Sequence, residues 1–363
     1  MTDIVVRFED IVKIFGEGSR REVRAVDHFS LSVEGGQLIT LLGPSGCGKT
    51  TSLRILAGFE NATSGKVYID GRCVNDTPPQ SRDTSMVFQS YGLFPHMTVF
   101  ENVAYGLKVK HTPKLEIRTR VAEVLHLVGL GGLERRSVGQ LSGGQQQRVA
   151  LCRAIITQPK VLLFDEPLSN LDAKLRKGTR EQIRQLQQEL GITSLYVTHD
   201  QAEAMSISDQ IAVMNDGRLQ QLGTAEAIYA RPANRFVAGF IGDANFLPAK
   251  VLSLDGAGVK IACGAVEMVV EQSGERFAPG DEPVLLVRPE AVDLVPEGQG
   301  DLAAEVLFSH YTGSVVLYAL SLPTGERLEV QVANPQERGL LPLRSTVGLR
   351  LHRRSLRLLE KEG

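Results

Sequence analysis

Residues 43–50 read GPSGCGKT, which satisfies the spacing G-x-x-x-x-G-K-[ST]. Gly43, Gly46 and Gly48, with Pro44, Ser45 and Cys47 between them, let successive backbone N–H groups converge on one anion without obstruction by side chains. The helix expected after this turn, TSLRILAGF, aims its positive end at the same point. Lys49 supplies a cation for the β- and γ-phosphates. Thr50 offers a hydroxyl to Mg²⁺, and Thr51 lies beside it in the first helical turn. The chemistry these residues suit is the cradling of a nucleoside triphosphate. Cys47 reads as a small filler within the loop.

Two further stretches belong to the same chemistry. VLLFDE (161–166) is an apolar run ending in two carboxylates. Its strand would deliver Asp165 to hold the metal through water, and Glu166 next to it would polarise an attacking water. LSGGQ (141–145) places Ser142, Gly143, Gly144 and Gln145 at the start of a helix that ends before Pro159. Small residues at a positive helix end make a second anion site. No NKxD guanine-reading motif is present, which disfavours a GTPase.

The elements that must position these residues follow from the hydrophobic pattern. Residues 4–9 and 27–33 alternate apolar and polar side chains, and 37–42, 65–71, 161–166 and 194–200 are short apolar or strand-like runs. Residues 97–158 are mostly helical in pattern, and 179–191 reads as an amphipathic helix stopped by Gly191. Residues 211–219 read as a hairpin. Strands alternating with helices imply α/β architecture around a parallel sheet. Past about residue 243 the helical patterns give way to short strands (283–287, 315–322, 327–332, 347–352), as in a small all-β domain. The expected domains are therefore 1–242, with a helical subdomain at about 90–158, and 243–363.

Bulk properties narrow the class. A chain of 363 residues is long enough for two domains. A net charge of −2 gives no basis for a nucleic-acid surface. Cys47, Cys73, Cys152 and Cys263 form no CxxC pair, so neither a disulfide framework nor a zinc site is read, and a reducing compartment fits. The N-terminus lacks a signal-peptide pattern, and no run of about eighteen apolar residues could span a membrane.

LSGGQ, with GPSGCGKT, VLLFDE, Gln89, SNLD (169–172) and His199 in this chain, resembles the ATP-binding-cassette family across about residues 4–240. LSGGQQQRVALCRAI, QSYGLFPHMTVFENV and EPLSNLDAKLR resemble the ATPase subunits of bacterial binding-protein-dependent importers. VRPEAV (287–292) is similar to their accessory β-domain, the TOBE domain. The resemblance implies a P-loop NTPase (RecA-like) core with an OB-like TOBE tail. It also implies a homodimer holding two ATP molecules head to tail, the loop of one chain facing LSGGQ of the other. On that pattern Gly43 to Thr51 bind the triphosphate with Mg²⁺. Gln89 reaches the metal or the attacking water. Ser142, Gly143, Gly144 and Gln145 clamp the partner's γ-phosphate. Asp165 assists the metal, Glu166 is the base, Asp172 links the two sites, and His199 contacts the γ-phosphate. Phe15 stands where the family places an aromatic that stacks on adenine.

Implied partners are two transmembrane permease subunits at the cytoplasmic face of the inner membrane and, indirectly, a periplasmic or lipoprotein solute-binding protein. Leu93, Phe94, Pro95 and Met97 are apolar where that family receives a helix of the permease, with local core as the alternative. ITSLYVTHDQAEA (192–204), RPANRFVAGFIGDANFLPA (231–249) and the tail resemble importers of ferric ion and of polyamines most, with phosphonates and sugars behind, and ferric ion is the expected solute. A soluble ABC protein of DNA repair or translation is the rival class. It resembles two fused cassettes or a long coiled-coil insertion, and this chain has neither pattern.

Overall fold

The computed structural model describes residues 3–19, 21–255, 258–271, 277–337 and 339–361. The chain divides into two compact units, 1–225 and 226–363. The change of sequence texture at 242/243 lies inside the second unit.

In the first unit the strands are β1 (Ile4–Phe15), β2 (Val23–Glu34), β3 (Leu38–Leu42), β4 (Ser64–Ile69), β5 (Arg72–Cys73), β6 (Thr84–Val87), β7 (Val161–Asp165), β8 (Thr193–Thr198), β9 (Gln210–Asn215) and β10 (Arg218–Gly223). The helices are α1 (Lys49–Ala57), α2 (Val99–Val109), α3 (Lys114–Leu127), α4 (Gly143–Ile155), α5 (Ala173–Leu190) and α6 (Gln201–Ile207). One sheet has the order β10-β9-β3-β8-β7-β6. Its β9-β3, β3-β8, β8-β7 and β7-β6 pairings are parallel, and β10 joins antiparallel. Every residue of β3, β7 and β8 is buried. That is why these segments read as continuous apolar runs rather than alternating ones. The second sheet, β2-β1-β4-β5, is antiparallel. Phe8 and Phe29 meet edge-to-face at 5.2 Å in the core it forms with β3, β7, β8 and α1. The hairpin expected at 211–219 is β9–β10. Its Asp216-Gly217 turn has φ of 47° and 78°, the left-handed pair that two-residue hairpins demand.

Helix α5 starts at Ala173, earlier than the 179 read from the sequence. Residues 173–178 (AKLRKG) carry no apolar stripe, so periodicity is silent there. The start is set instead by Asp172, whose carboxylate accepts the Leu175 N–H at 2.9 Å. The helix ends at Gly191 as expected, with φ of 58°. Between α2 and α4, the side chains of Val103, Leu107, Val121, Leu125 and Val149 close a separate core for the helical subdomain.

Two short helices, α7 (Ala225–Ala230), whose first residue ends the first unit, and α8 (Arg235–Phe240), begin the second unit. Among the described residues from Asn245 onward, the regular structure is β apart from single 3₁₀ turns. The sheets run β11-β15-β21, β12-β13-β14 and β16-β20-β17-β18-β19. Their inward faces share one core that includes Val251, Ile261, Leu285, Val306, Tyr318 and Leu349. Arg288 of VRPEAV is 4% exposed. Its guanidinium donates to the carbonyls of Ala238, Asp243 and Tyr229 and stacks over the Tyr229 ring at 4.2 Å. This arginine ties the helical opening of the unit to its first sheet, a use of the planar fork that lysine could not copy.

Candidate functional site

The chemistry-bearing residues of the first unit leave the parallel sheet at the carboxyl ends of adjacent strands. The glycine loop follows β3, Gln89 follows β6, Asp165 and Glu166 close β7, and His199 follows β8. Since β3 is flanked by β8 and β8 by β7, these residues come to one edge of the sheet.

The loop is shaped by its glycines in two ways. A Cβ on Gly43 would lie 2.3 Å from the Met214 carbonyl, and one on Gly48, at φ 100°, would lie 2.3 Å from that of Ala25. Gly46 has the opposite setting, with φ of 82° and nothing within 4 Å. Gly48 is the N-cap of helix α1, with no side chain capping the first N–H groups and no acidic residue in the first turn. These donors stay available to an anion. The Lys49 ammonium folds across the loop, donating to Gly43 O at 2.7 Å and Pro44 O at 2.8 Å. Cys47 is buried, and burial pushes its thiol pKa up.

Thr50 Oγ1 donates to Asp165 Oδ1 at 3.0 Å. Burial pushes the Asp165 carboxyl above its ordinary range, an effect opposed by the Thr50 hydrogen bond and by the charge of Arg54. Glu166 sits at φ 45°, a left-handed conformation unusual for glutamate, held by its N–H to Val197 O at 3.1 Å. Its carboxylate faces His199 Nδ1 at 3.2 Å. The His199 side chain is 57% exposed, so its outer side is accessible.

Ser142 caps α4. Its Oγ accepts the Gln145 N–H while Gln145 Oε1 accepts the Ser142 N–H, a reciprocal capping box. Ser142 and Gly143 are exposed and Gly144 is buried. Among the described residues, no hydrogen bond or ion pair joins 142–145 to the loop at 43–51. Asp172 caps α5. Gln89 is exposed, and its backbone carbonyl accepts from Asn170 Nδ2 at 2.8 Å, so the 169–172 turn and the segment after β6 are tied together. Phe15 ends β1 with 40% of its surface exposed. Lys13 Nζ lies 4.7 Å from its ring centre while donating to Glu60 Oε1 and Asn61 O.

In the 92–97 segment Leu93 packs into two cores, as the local-core alternative expects. Phe94 stays half-buried at 4.7 Å from the Tyr105 ring, and Tyr105 is 42% exposed. Arg153 of α4 fixes this segment by donating to the carbonyls of Tyr91 and Gly92.

Sequence reading missed three supports. Glu203 is 3% exposed and accepts from Thr198 Oγ1 at 2.7 Å and Tyr196 Oη at 3.2 Å, anchoring the strand end that carries His199. Lys13 and Asn170 are the others. Asn170 lies inside a quoted motif, which could have flagged it. Glu203 lies only five and seven positions after its partners, but nothing in the sequence marks it as buried, and Lys13 carries no local signal because Glu60 and Asn61 are 47 and 48 positions away.

Residues 26–169 match the family model described as ABC transporter, and 285–359 match the TOBE domain. The chain is 46% identical to the Fe(3+) ions import ATP-binding protein FbpC of Brucella abortus (strain 2308), covering 98% of each. It is 48% identical to the spermidine/putrescine import ATP-binding protein PotA of Rubrobacter xylanophilus, over 93% of this chain and 89% of that one. Identity reaches 57% with the FbpC of Photorhabdus laumondii, over 67% of this chain and 68% of that one. A dimeric, post-hydrolysis ATP-binding cassette bound to ADP and Pi superposes with a TM-score of 0.54 and 31% identity, covering 61% of this chain and 98% of that one. The chain belongs to the ABC transporter family, as an ATP-binding, ATP-hydrolysing import subunit with a C-terminal TOBE domain.

Proposed function

We propose that this ATPase drives ferric ion uptake, acting as a head-to-tail homodimer on two permease subunits at the cytoplasmic face of the cell membrane. The observation that carries the dimer is the separation of two anion-binding edges in one chain. The loop at 43–51 and the exposed helix start at Ser142 make no polar contact with each other among the described residues. Each edge is open to a second molecule. The proposed domains remain 1–242 for the cassette and 243–363 for the TOBE region.

The uncapped α1 start, the open Gly46 backbone and the Thr50–Asp165 oxygen pair fit a Mg²⁺–triphosphate. Residues 43–51 would hold the phosphates. Lys49 would exchange its two carbonyl partners for phosphate oxygens. Thr50 directly, and Asp165 through water, would hold Mg²⁺, which neutralises phosphate charge when bound. Gln89 would approach the metal or the attacking water. Phe15, with Lys13 over its ring, would stack on adenine. Glu166 takes the proton of the attacking water, and His199 holds that carboxylate at 3.2 Å while contacting the γ-phosphate. From the partner chain, Ser142, Gly143, Gly144 and Gln145 would close over the γ-phosphate, with Asp172 at the seam between sites. Phe94 and its neighbours would receive a permease helix, and a periplasmic or lipoprotein binding protein would present the solute.

Glu166→Gln tests the reaction: ATP binding is retained and hydrolysis falls by roughly 10²-fold or more. Ordinary turnover in that variant would remove Glu166 from its role. The solute rests on the relatives named for Fe(3+). The PotA relative, similar over nearly as much of the chain, supports a second reading, polyamine uptake. Uptake of labelled ferric ion and of labelled putrescine, in cells carrying this chain or its Lys49→Ala form, separates the two. Loss of putrescine uptake alone would reassign the solute.

A further inference from the structure

The β7–β8 ladder ends at Asp165 and Val197, and the Glu166 N–H to Val197 O is the last backbone bond beside it. Among the described residues, no further backbone hydrogen bond joins the turn at 166–172 to the corner at 198–203. Glu166 opens the first of these segments and His199 lies in the second. One side chain spans them. Arg176 stands one turn into α5, where its own N–H bonds back to Asp172 O at 2.9 Å. Its Nη2 donates to Leu171 O at 3.1 Å, in the turn that follows Glu166. Its Nη1 donates to Asp200 Oδ2 at 3.4 Å, next to His199. Its Nε lies 3.9 Å from Glu203 Oε1, near enough to pair charge but too far for a hydrogen bond.

Both ends of this bridge are fastened. On one side the Ser169 hydroxyl donates to Glu166 O at 3.0 Å, and the Leu171 N–H to Leu168 O at 3.1 Å. On the other, Thr198 Oγ1 donates to Glu203 Oε2 at 2.7 Å and accepts the Asp200 N–H at 3.0 Å. Asp200 Oδ1 accepts the Glu203 N–H at 3.1 Å, which leaves Oδ2 to Arg176. Burial pushes the Glu203 carboxyl above its ordinary range, an effect opposed by the Thr198 hydrogen bond and by the Arg176 charge. We propose that Arg176 is a positioning residue for ATP hydrolysis: its fork holds the 166–172 turn against the 198–203 corner and so keeps His199 Nδ1 facing the Glu166 carboxylate. Lysine would carry the charge without the two-pronged geometry. The inference deepens the proposed function and rests on it, since it takes the roles of Glu166 and His199 from there.

The test measures steady-state phosphate release, equilibrium ATP binding and urea melts on the full chain. Arg176→Gln is expected to lower kcat about tenfold with ATP affinity changed less than about twofold. Arg176→Lys should restore only part of that loss. The deciding measurement repeats the change in His199→Ala. A residue that works through His199 has little left to lose there, so adding Arg176→Gln should lower kcat by less than about twofold. A second readout needs no nucleotide. In chain with ¹⁵N-labelled histidines, the His199 imidazole shifts, assigned by their absence in His199→Ala, should move in Arg176→Gln, while those of the other histidines hold. Asp200→Asn keeps a cap for the Glu203 N–H but turns a donor toward Arg176, so it should repeat the kcat loss and serves if Arg176→Gln folds poorly. Parental kcat in both Arg176→Gln and Asp200→Asn, full rescue by lysine, an undiminished tenfold loss on the His199→Ala background, or unmoved His199 shifts would each overturn the positioning role. Ordinary kcat in His199→Ala alone would remove the proposed role of His199 first, and that of Arg176 with it.

Discussion

At the scale of single residues, the unusual feature is where Glu166 is held. Its positive φ places the carboxylate against His199 Nδ1 rather than along the continuation of β7. Such a conformation persists only where surrounding bonds over-determine it, here the N–H to Val197 O and the Ser169 hydroxyl on the Glu166 carbonyl. His199→Ala leaves the carboxylate without its lateral partner. The expected result is a fall in kcat of about 10² or more with ATP affinity changed only a few-fold, measured by steady-state phosphate release and by equilibrium nucleotide binding. A proportional loss of both would make His199 a binding residue only. The type of each of these residues was legible in VLLFDE and in the THD that ends β8. Their mutual distance was not, since the two lie 33 positions apart with a helix and a strand between them.

At the scale of elements, helix starts carry several of the site residues, and each start can be tested as a cap. Asp172→Ala removes the acceptor for Leu175 N–H and should cost about 1 kcal/mol, whereas Asp172→Asn, an equally good cap, should leave stability nearly unchanged. Urea melts of the two variants decide this. If Asp172 also links the two nucleotide sites, Asn will lower ATPase without lowering stability. A second element-level device is Asp27 on β2, 5% exposed, which accepts from Arg24 Nη1 at 2.8 Å and from Arg218 Nε of β10 at 2.6 Å. The hydrogen bonds from Arg24, then those from Arg218, hold its carboxyl below the ordinary carboxylate range. A lowered folded pKa stabilises the fold above the unfolded pKa and loses that contribution as pH falls through the folded value. Asp27→Asn should therefore be less stable than the parent at neutral pH. It should also show a flatter decline in urea midpoint on acidification below about pH 4. Parallel declines would exclude Asp27 from the acid sensitivity. The strand of Asp27 was read from alternation, but its two arginine partners were not, because one of them is 191 positions away.

At the scale of the whole molecule, the proposed shared site would make assembly part of the chemistry, since 142–145 and 43–51 share no hydrogen bond or ion pair among the described residues. Glu166→Gln with ATP should elute as a dimer and return to monomer when the nucleotide is removed, by gel filtration with light scattering. A persistent monomer of this variant with ATP bound would sink the shared-site reading. The amino-acid order alone determined that there is a phosphate loop, that a carboxylate pair ends an apolar strand, that a second small-residue helix start exists, and that the last third of the chain is built of strands. Those features are local: backbone freedom, side-chain period and charge sit within a few consecutive residues. What only the tertiary structure decided is non-local. It set which strand lies beside β3, the Thr50–Asp165 and Glu166–His199 pairs, the tie of Lys13 to Glu60, and the bond of Arg218 to Asp27. Strand order and burial arise from the packing of distant segments around shared cores, and no window of sequence contains both sides of such a contact.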